Sequence, residues 1–338
     1  MSSHNFQDGL RALLGHDGDF ETEAMLGGAS NRTYYRIHAK GQSWVVMVLA
    51  DEPIRSEEAM SGPKPRELPF VEIQRFLSAR DVSVPTIHHF DKERGHLWLD
   101  DLGNRELGEQ LKAASGPQRV DTYRPAVELL VQFQKATVGR HAPICYERRF
   151  EPSLLRWELD HYREWRVEQQ LNRTLSPATL DALGDAFDTI VGQLCALPQI
   201  LCHRDFQSTN LMQTADGLVL IDFQDALMGS YCYDLVALIR DSYIDLSPEQ
   251  VDALIDDYLQ RRPDLDPPAF RAAFHLQTVQ RKLKDAGRFV YIERVKGNAS
   301  YLPYIAPSLQ YVRDALDKLP MLKPLHHLLA DLDPEAFA

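Results

Sequence analysis

At 338 residues the chain has room for one large or two modest domains, and its 49 acidic against 37 basic side chains, a formal charge of −12, argue against the basic face of a nucleic-acid binder. Its longest apolar run, Trp44 to Ala50, is too short to span a bilayer, and the polar start Met1-Ser2-Ser3-His4-Asn5 shows no leader-like apolar core. Four scattered cysteines, Cys145, Cys195, Cys202 and Cys232, form no C-x-x-C and read as reduced thiols, so a cytoplasmic protein with no nucleic-acid or membrane partner is expected.

The first hundred residues alternate like strands. Residues 20–27, 32–38 and 44–49 are rich in Val, Tyr, Trp and Ile and are separated by turn signals. Between the first two lies Gly27-Gly28-Ala29-Ser30-Asn31. This is either an ordinary hairpin turn or a place where small residues let backbone N–H groups approach an anion. A charged loop, 51–66, precedes a helix over 67–79 that carries Leu68, Val71, Phe76 and Leu77 at helical spacing. Two short strands follow, near 86–90 and 96–100. The pattern predicts an α+β fold whose N-lobe, residues 1–102, is a small antiparallel sheet with one helix.

From Asn104 onward helical periodicity takes over, predicting a larger, mainly helical C-lobe, residues 103–338. Arg124 to Gln134 is amphipathic, and 153–168 carries Leu154, Leu155, Trp157, Tyr162 and Trp165. Ser176-Pro177 opens a helix with an N-cap and a proline at the first helical position. Ser247-Pro248-Glu249-Gln250 has the form of a capping box. The tail, 319–338, contains Pro320, Pro324 and Pro334 and is expected to be loosely held.

Short strands and loops interrupt the helices at 199–224, and there the chemistry concentrates. His203-Arg204-Asp205 with Asn210 reads H-R-D-x-x-x-x-N, the spacing of a kinase catalytic loop. In such a loop the Asp accepts a hydroxyl proton and the Asn holds a metal ion. The apolar run 218–221 ends in Asp222, where a second Mg²⁺ ligand would sit. Singly, each has a plainer reading: His203 as a core histidine, Asp205 as an N-cap, Asp222 as a turn former. Together they predict phosphoryl transfer from ATP with Mg²⁺, Asp205 being the base and Asn210 and Asp222 the metal ligands. In that setting Gly27, Gly28, Ser30 and Asn31 become nucleotide contacts. Kinases usually add a lysine on the third strand, and Trp44-Val45-Val46-Met47-Val48 has none. Arg32 and Arg36 are the candidate substitutes; Glu72 stands where the lysine's usual partner would be, but without the lysine it reads as part of a solvated helix face. Asp101 and Leu102 stand where a hinge would meet the adenine edge.

The segments Leu201-Cys202-His203-Arg204-Asp205-Phe206-Gln207-Ser208-Thr209-Asn210, Ile221-Asp222-Phe223-Gln224-Asp225-Ala226 and Tyr233-Asp234-Leu235 resemble the aminoglycoside-phosphotransferase and choline-kinase group. More narrowly, with 277–302, they are similar to the bacterial cell-wall kinases that phosphorylate the anomeric hydroxyl of N-acetylmuramate and N-acetylglucosamine. The resemblance implies a two-lobe, protein-kinase-like fold, ATP with Mg²⁺, and a sugar or amine alcohol as acceptor; a small-molecule amino sugar and a monomeric protein are expected. Thr209 departs from that subgroup, which often has Arg there. Gln207, Asp225, Arg240, Arg281 and Lys284 are the candidate acceptor contacts. Arg240 and Lys284 could meet a carboxylate such as the lactyl group of muramate. Arg240 could equally pair with Asp241 or Asp234 inside the fold. A cationic acceptor, aminoglycoside or choline-like, and a catalytically silent nucleotide-binding module remain as alternatives.

Overall fold

A computed structural model describes residues 6–16, 18–25, 32–50, 65–139 and 141–337. Its elements run α1 (Gln7–Leu14), β1 (Glu21–Met25), β2 (Thr33–Ala39), β3 (Gln42–Val48), α2 (Pro69–Ser78), β4 (Ile87–Asp91) and β5 (His96–Asp100). Then come α3 (Leu107–Ala113), α4 (Gly116–Ala136), α5 (Pro152–His161), α6 (Pro177–Ala196), β6 (Gln199–Cys202), β7 (Leu211–Thr214), β8 (Gly217–Leu220) and β9 (Leu227–Ser230). The chain closes with α7 (Tyr233–Ile239), α8 (Pro248–Arg261), α9 (Pro267–Lys296), α10 (Ile305–Leu316), α11 (Lys323–Leu332) and α12 (Pro334–Phe337).

The N-lobe is an antiparallel sheet of five strands in the order β1-β2-β3-β5-β4. Strand alternation divides its side chains between two faces. Ile37, Trp44, Val46, Val48 and Trp98 pack on the outer face with Phe6 and Leu10 at α1. Met47, Leu97 and Leu99 point inward to Val71, Phe76 and Leu77 of α2. That inner cluster continues without a break through Leu130 of α4 to Leu220 and Phe223. One apolar core therefore joins the sheet to the segment that carries Asp222. Burial on both sides explains why β3 reads as a nearly unbroken apolar run.

The C-lobe is organised by α9, 30 residues long, capped by Asp266 at its start and by Gly297 in the left-handed region at its end. Its apolar side, Leu276, Val279, Leu283 and Val290, forms a second core with Phe187, Leu309 and Leu329. Past His161, α5 widens into a π-helical stretch, Tyr162–Gln170. Gly287 makes this crossing possible: a Cβ there would lie 2.2 Å from the His161 carbonyl oxygen and 2.5 Å from the Tyr162 nitrogen. Ser176 caps α6 through the Thr179 N–H, and Ser247 with Gln250 forms the expected capping box of α8.

The tail corrects an expectation. Residues 320–337 are helical and packed, with Leu322, Leu325, Leu329, Leu332 and Phe337 buried in the second core. Arg166 grips the buried Asp333 with two hydrogen bonds, 2.8 and 3.0 Å. All four cysteines are free thiols. Among the described residues no helix is long and apolar enough to cross a membrane.

Candidate active site

The loop after β6 is held by its backbone. Asp234, wholly buried in the first turn of α7, accepts hydrogen bonds from the His203 N–H (2.7 Å) and the Arg204 N–H (3.0 Å). Burial pushes its carboxyl above the ordinary value, against the pull of His203 and those two N–H groups. His203 is buried and its Nε2 meets the Ile221 carbonyl at 2.9 Å, tying the loop to the end of β8. Ser208 donates to Asp241 at 2.7 Å, and Asp241 also accepts from the Tyr243 N–H. Sequence reading passed over Asp241 as an anchor, because the run Arg240-Asp241-Ser242 does not say which polar side chain turns inward.

Asp205, Asn210 and Asp222 come together through this frame. Asn210 Nδ2 donates to the Asp205 carbonyl at 2.8 Å, which leaves the amide oxygen to act as a ligand. The Asn210 carbonyl accepts from the Ile221 N–H at 3.0 Å, closing the β7–β8 hairpin so that Asp222 follows beside it. Arg204 (φ 82°) and Asp222 (φ 63°) both adopt left-handed backbone that side-chain-bearing residues rarely take. Such strain is held by surrounding bonds and is concentrated at working sites. The Asp222 side chain is 47% exposed. Its Oδ1 accepts from Gln224 Nε2 at 2.8 Å.

Asp205 is 44% exposed, while Arg281 behind it is 1% exposed. Arg281 donates to the Arg204 carbonyl at 3.0 Å and to Asp205 Oδ1 at 3.4 Å, with its guanidinium 4.9 Å above the Tyr233 ring. Burial works to raise the Asp205 carboxyl. Arg281, then Arg204 and Lys284, outweigh it and hold the group below the usual carboxylate range. Asp205 is thus a fixed, ionised carboxylate able to accept a proton. Replacing Arg281 by Met removes the main attraction, so the Asp205 pKa rises. Activity that needs the ionised form is then lost at a higher pH as the solution is acidified. The acid limb of kcat/KM is expected to move to higher pH, with Arg281→Lys moving it less. A pH–rate profile of the two variants checks this.

The donors Asn210 and Asp222 are oxygens only, which suits Mg²⁺. Among the described residues no group of three or more His, Cys, Asp or Glu side chains could hold a metal ion. The oxygen donors of Asn210 and Asp222 alone fit the chemistry of the metal expected from the motif.

On the nucleotide side, Gly27, Gly28, Ser30 and Asn31 lie outside the described residues. Arg32 approaches Asp222, Nη1 to Oδ1 3.9 Å. Asp101 accepts from Arg36 Nε at 2.9 Å and from the Gly103 N–H at 3.1 Å, and Leu102 follows in the connector between the lobes.

On the acceptor side, Gln207 and Asp225 flank the catalytic segments. The Gln207 N–H bonds the Asp205 carbonyl at 2.8 Å, and Asp225 accepts from Gln224 at 3.1 Å. Lys284 stands one turn beyond Arg281 on α9, 3.5 Å from Asp285. Arg240 is buried elsewhere, 4.8 Å over the Tyr311 ring, and among the described residues no carboxylate pairs with it. Asp234 and Asp241, its suggested partners, are instead taken up by the catalytic loop.

Comparison with known proteins agrees with this geometry. The model of the phosphotransferase enzyme family matches residues 21–272. The chain is 30% identical over 318 residues to the N-acetylmuramate/N-acetylglucosamine kinase of Pseudomonas putida, covering 92% of this chain and 88% of that one. It is 32% identical over 321 residues to the enzyme of the same name from Neisseria meningitidis, covering 93% and 91%. Among solved structures, a choline/ethanolamine kinase family protein from Mesorhizobium loti superposes with a TM-score of 0.58 at 19% identity, covering 96% of this chain and 99% of that one. The last likeness shows the two-lobe, protein-kinase-like fold.

Proposed function

Because the chain belongs to the phosphotransferase enzyme family, we propose that it moves the γ-phosphoryl group of ATP onto an amino sugar, at the anomeric hydroxyl of N-acetylmuramate or N-acetylglucosamine. In this reading the N-lobe, ending at Leu102, covers the nucleotide, and the C-lobe supplies catalysis and the acceptor pocket. The observation that carries it is the frame joining Asp205, Asn210 and Asp222. Asp205 accepts the hydroxyl proton while Arg281 keeps its carboxylate aimed and ionised. A depressed carboxylate is a weak base. An anomeric hydroxyl, more acidic than an ordinary alcohol, suits it. Asn210 and Asp222 would hold Mg²⁺, which when bound neutralises charge on the phosphates.

The acceptor side favours an anion. Arg281, Lys284 and Arg288 recur at helical spacing and share one face of α9, leading outward from Asp205. Beyond them lie aromatic rings. Trp157 and His161 of α5 have centroids 4.1 Å apart, His161 lies 6.0 Å from Tyr291, and Arg288 sits 4.6 Å over Tyr291. Cations beside aromatic faces suit a sugar bearing a carboxylate, as in muramate. They disfavour an aminoglycoside or choline. Retention of all three catalytic side chains disfavours a silent module. The test is mass spectrometry of N-acetylmuramate, N-acetylglucosamine, kanamycin and choline, each incubated with Mg·ATP, with phosphorus NMR to locate the ester. A single phosphoryl group at the anomeric oxygen of the first two is expected. Phosphorylation of kanamycin or choline alone would sink the reading.

A further inference from the structure

The third-strand lysine is absent, and the structure shows what its absence leaves behind. The inward residues of β3 are Val45 and Met47, and Met47 is sealed in the core beside Leu97 and Val71. Glu72 on α2 has a buried carboxylate oxygen with no hydrogen-bond partner among the described residues. No cation arrives from β3 to meet either this carboxylate or a phosphate.

Two arginines lie at β2, Arg36 on its inward face and Arg32 one residue before its start. Arg36 is already committed. It binds Asp101 at 2.9 Å, the Asn104 side chain at 2.6 Å, the Gly103 carbonyl at 3.3 Å and Glu23 at 3.5 Å. Releasing it would leave the largely enclosed Asp101 carboxylate without its cation, holding only the Gly103 N–H. Arg32 stands just before the strand, and its guanidinium reaches the side of the sheet that faces Asp222. Its side chain is 25% exposed and its Nη1 stands 3.9 Å from Asp222 Oδ1. That separation is too long for a hydrogen bond. An open ion pair of this kind is weakly held and readily exchanged. Any phosphate whose metal ion rests on Asp222 must pass close to this guanidinium.

We propose that Arg32 is the phosphate-gripping cation of this chain, reaching across from β2 in place of the third-strand lysine and resting on Asp222 between turnovers. The assignment depends on the kinase reading above. Arginine offers a planar fork that can engage two phosphate oxygens at once, which a lysine cannot do. When a metal ion occupies Asp222, like charge drives Arg32 off that carboxylate and the phosphate oxygens receive it.

Isothermal titration of Mg·AMP-PNP, Mg·ADP and adenosine into the wild type, Arg32→Ala and Arg32→Lys tests this without turnover. Arg32→Ala is expected to weaken both phosphate-bearing ligands by about 10- to 100-fold and leave adenosine unchanged. Arg32→Lys, which keeps the charge and loses the fork, is expected to fall between. Arg32→Gln gives the same reading should the alanine chain not fold. Unchanged Mg·AMP-PNP affinity overturns the assignment. So does an equal loss for adenosine, which would make Arg32 a brace between lobes. A wild type that binds none of the three overturns the kinase reading and this assignment with it.

Discussion

Asp205→Ala is expected to lower turnover by about 10³- to 10⁴-fold while Mg·ATP still binds. The change removes the proton acceptor but none of the groups assigned to the nucleotide or metal. Arg281 keeps its bond to the Arg204 carbonyl, so the loop retains an anchor. What the variant loses is the carboxylate 3.4 Å from Arg281, not the frame around it. Asp205→Asn separates orientation from proton transfer, since the amide can still position a hydroxyl but cannot take its proton. Both variants are expected to share the drop in kcat, with KM for ATP little altered. Steady-state kinetics with a coupled ADP assay measures this, and near-normal kcat in either would refute the role of Asp205.

Asp234→Ala is expected to cost about 1–3 kcal/mol of stability for each of the two buried backbone donors it leaves without an acceptor. The carboxylate satisfies two adjacent backbone donors, the His203 and Arg204 N–H groups, inside a site with no exposure. Alanine fills neither role. Arg204 sits at φ 82°, so the freed loop can relax toward ordinary backbone and carry Asp205 with it. Activity is therefore expected to fall by more than the folded fraction alone explains. Asp234→Asn keeps one acceptor and points an amide donor at the other N–H, so it should recover only part of the loss. Urea unfolding midpoints for the two variants, compared with their kcat, decide the matter.

The parts of this molecule written in local chemistry were the legible ones. The Trp- and Val-rich run 44–48 and the turns around it predicted a strand of the sheet, and Ser247 with Gln250 predicted a cap that both partners make. The motif spacing of 205, 210 and 222 predicted neighbours, and the β7–β8 hairpin returns 222 to the side of 210. Illegible were features decided by distant partners. Pro320, Pro324 and Pro334 read as helix breakers. In the fold each lies in the first turn of its own helical segment, where a missing N–H costs nothing. Arg32 and Arg36 read alike as candidate cations, and only the connector at 101–104 distinguishes them. Arg240 read as an acceptor contact or as a partner of Asp241 or Asp234, yet it packs over Tyr311, far along the chain. The π-helical stretch after His161 leaves no mark in the apolar periodicity of its own residues, and the close crossing by Gly287 becomes visible only in three dimensions.

The bonds of Arg36 have a mechanical corollary. By joining β2 to Asp101, the Gly103 carbonyl and Asn104, this one side chain splices the sheet to the first residues of the strap beneath it. Any displacement of the strands must therefore drag residues 101–104 along, so sheet and connector answer a load as a single piece.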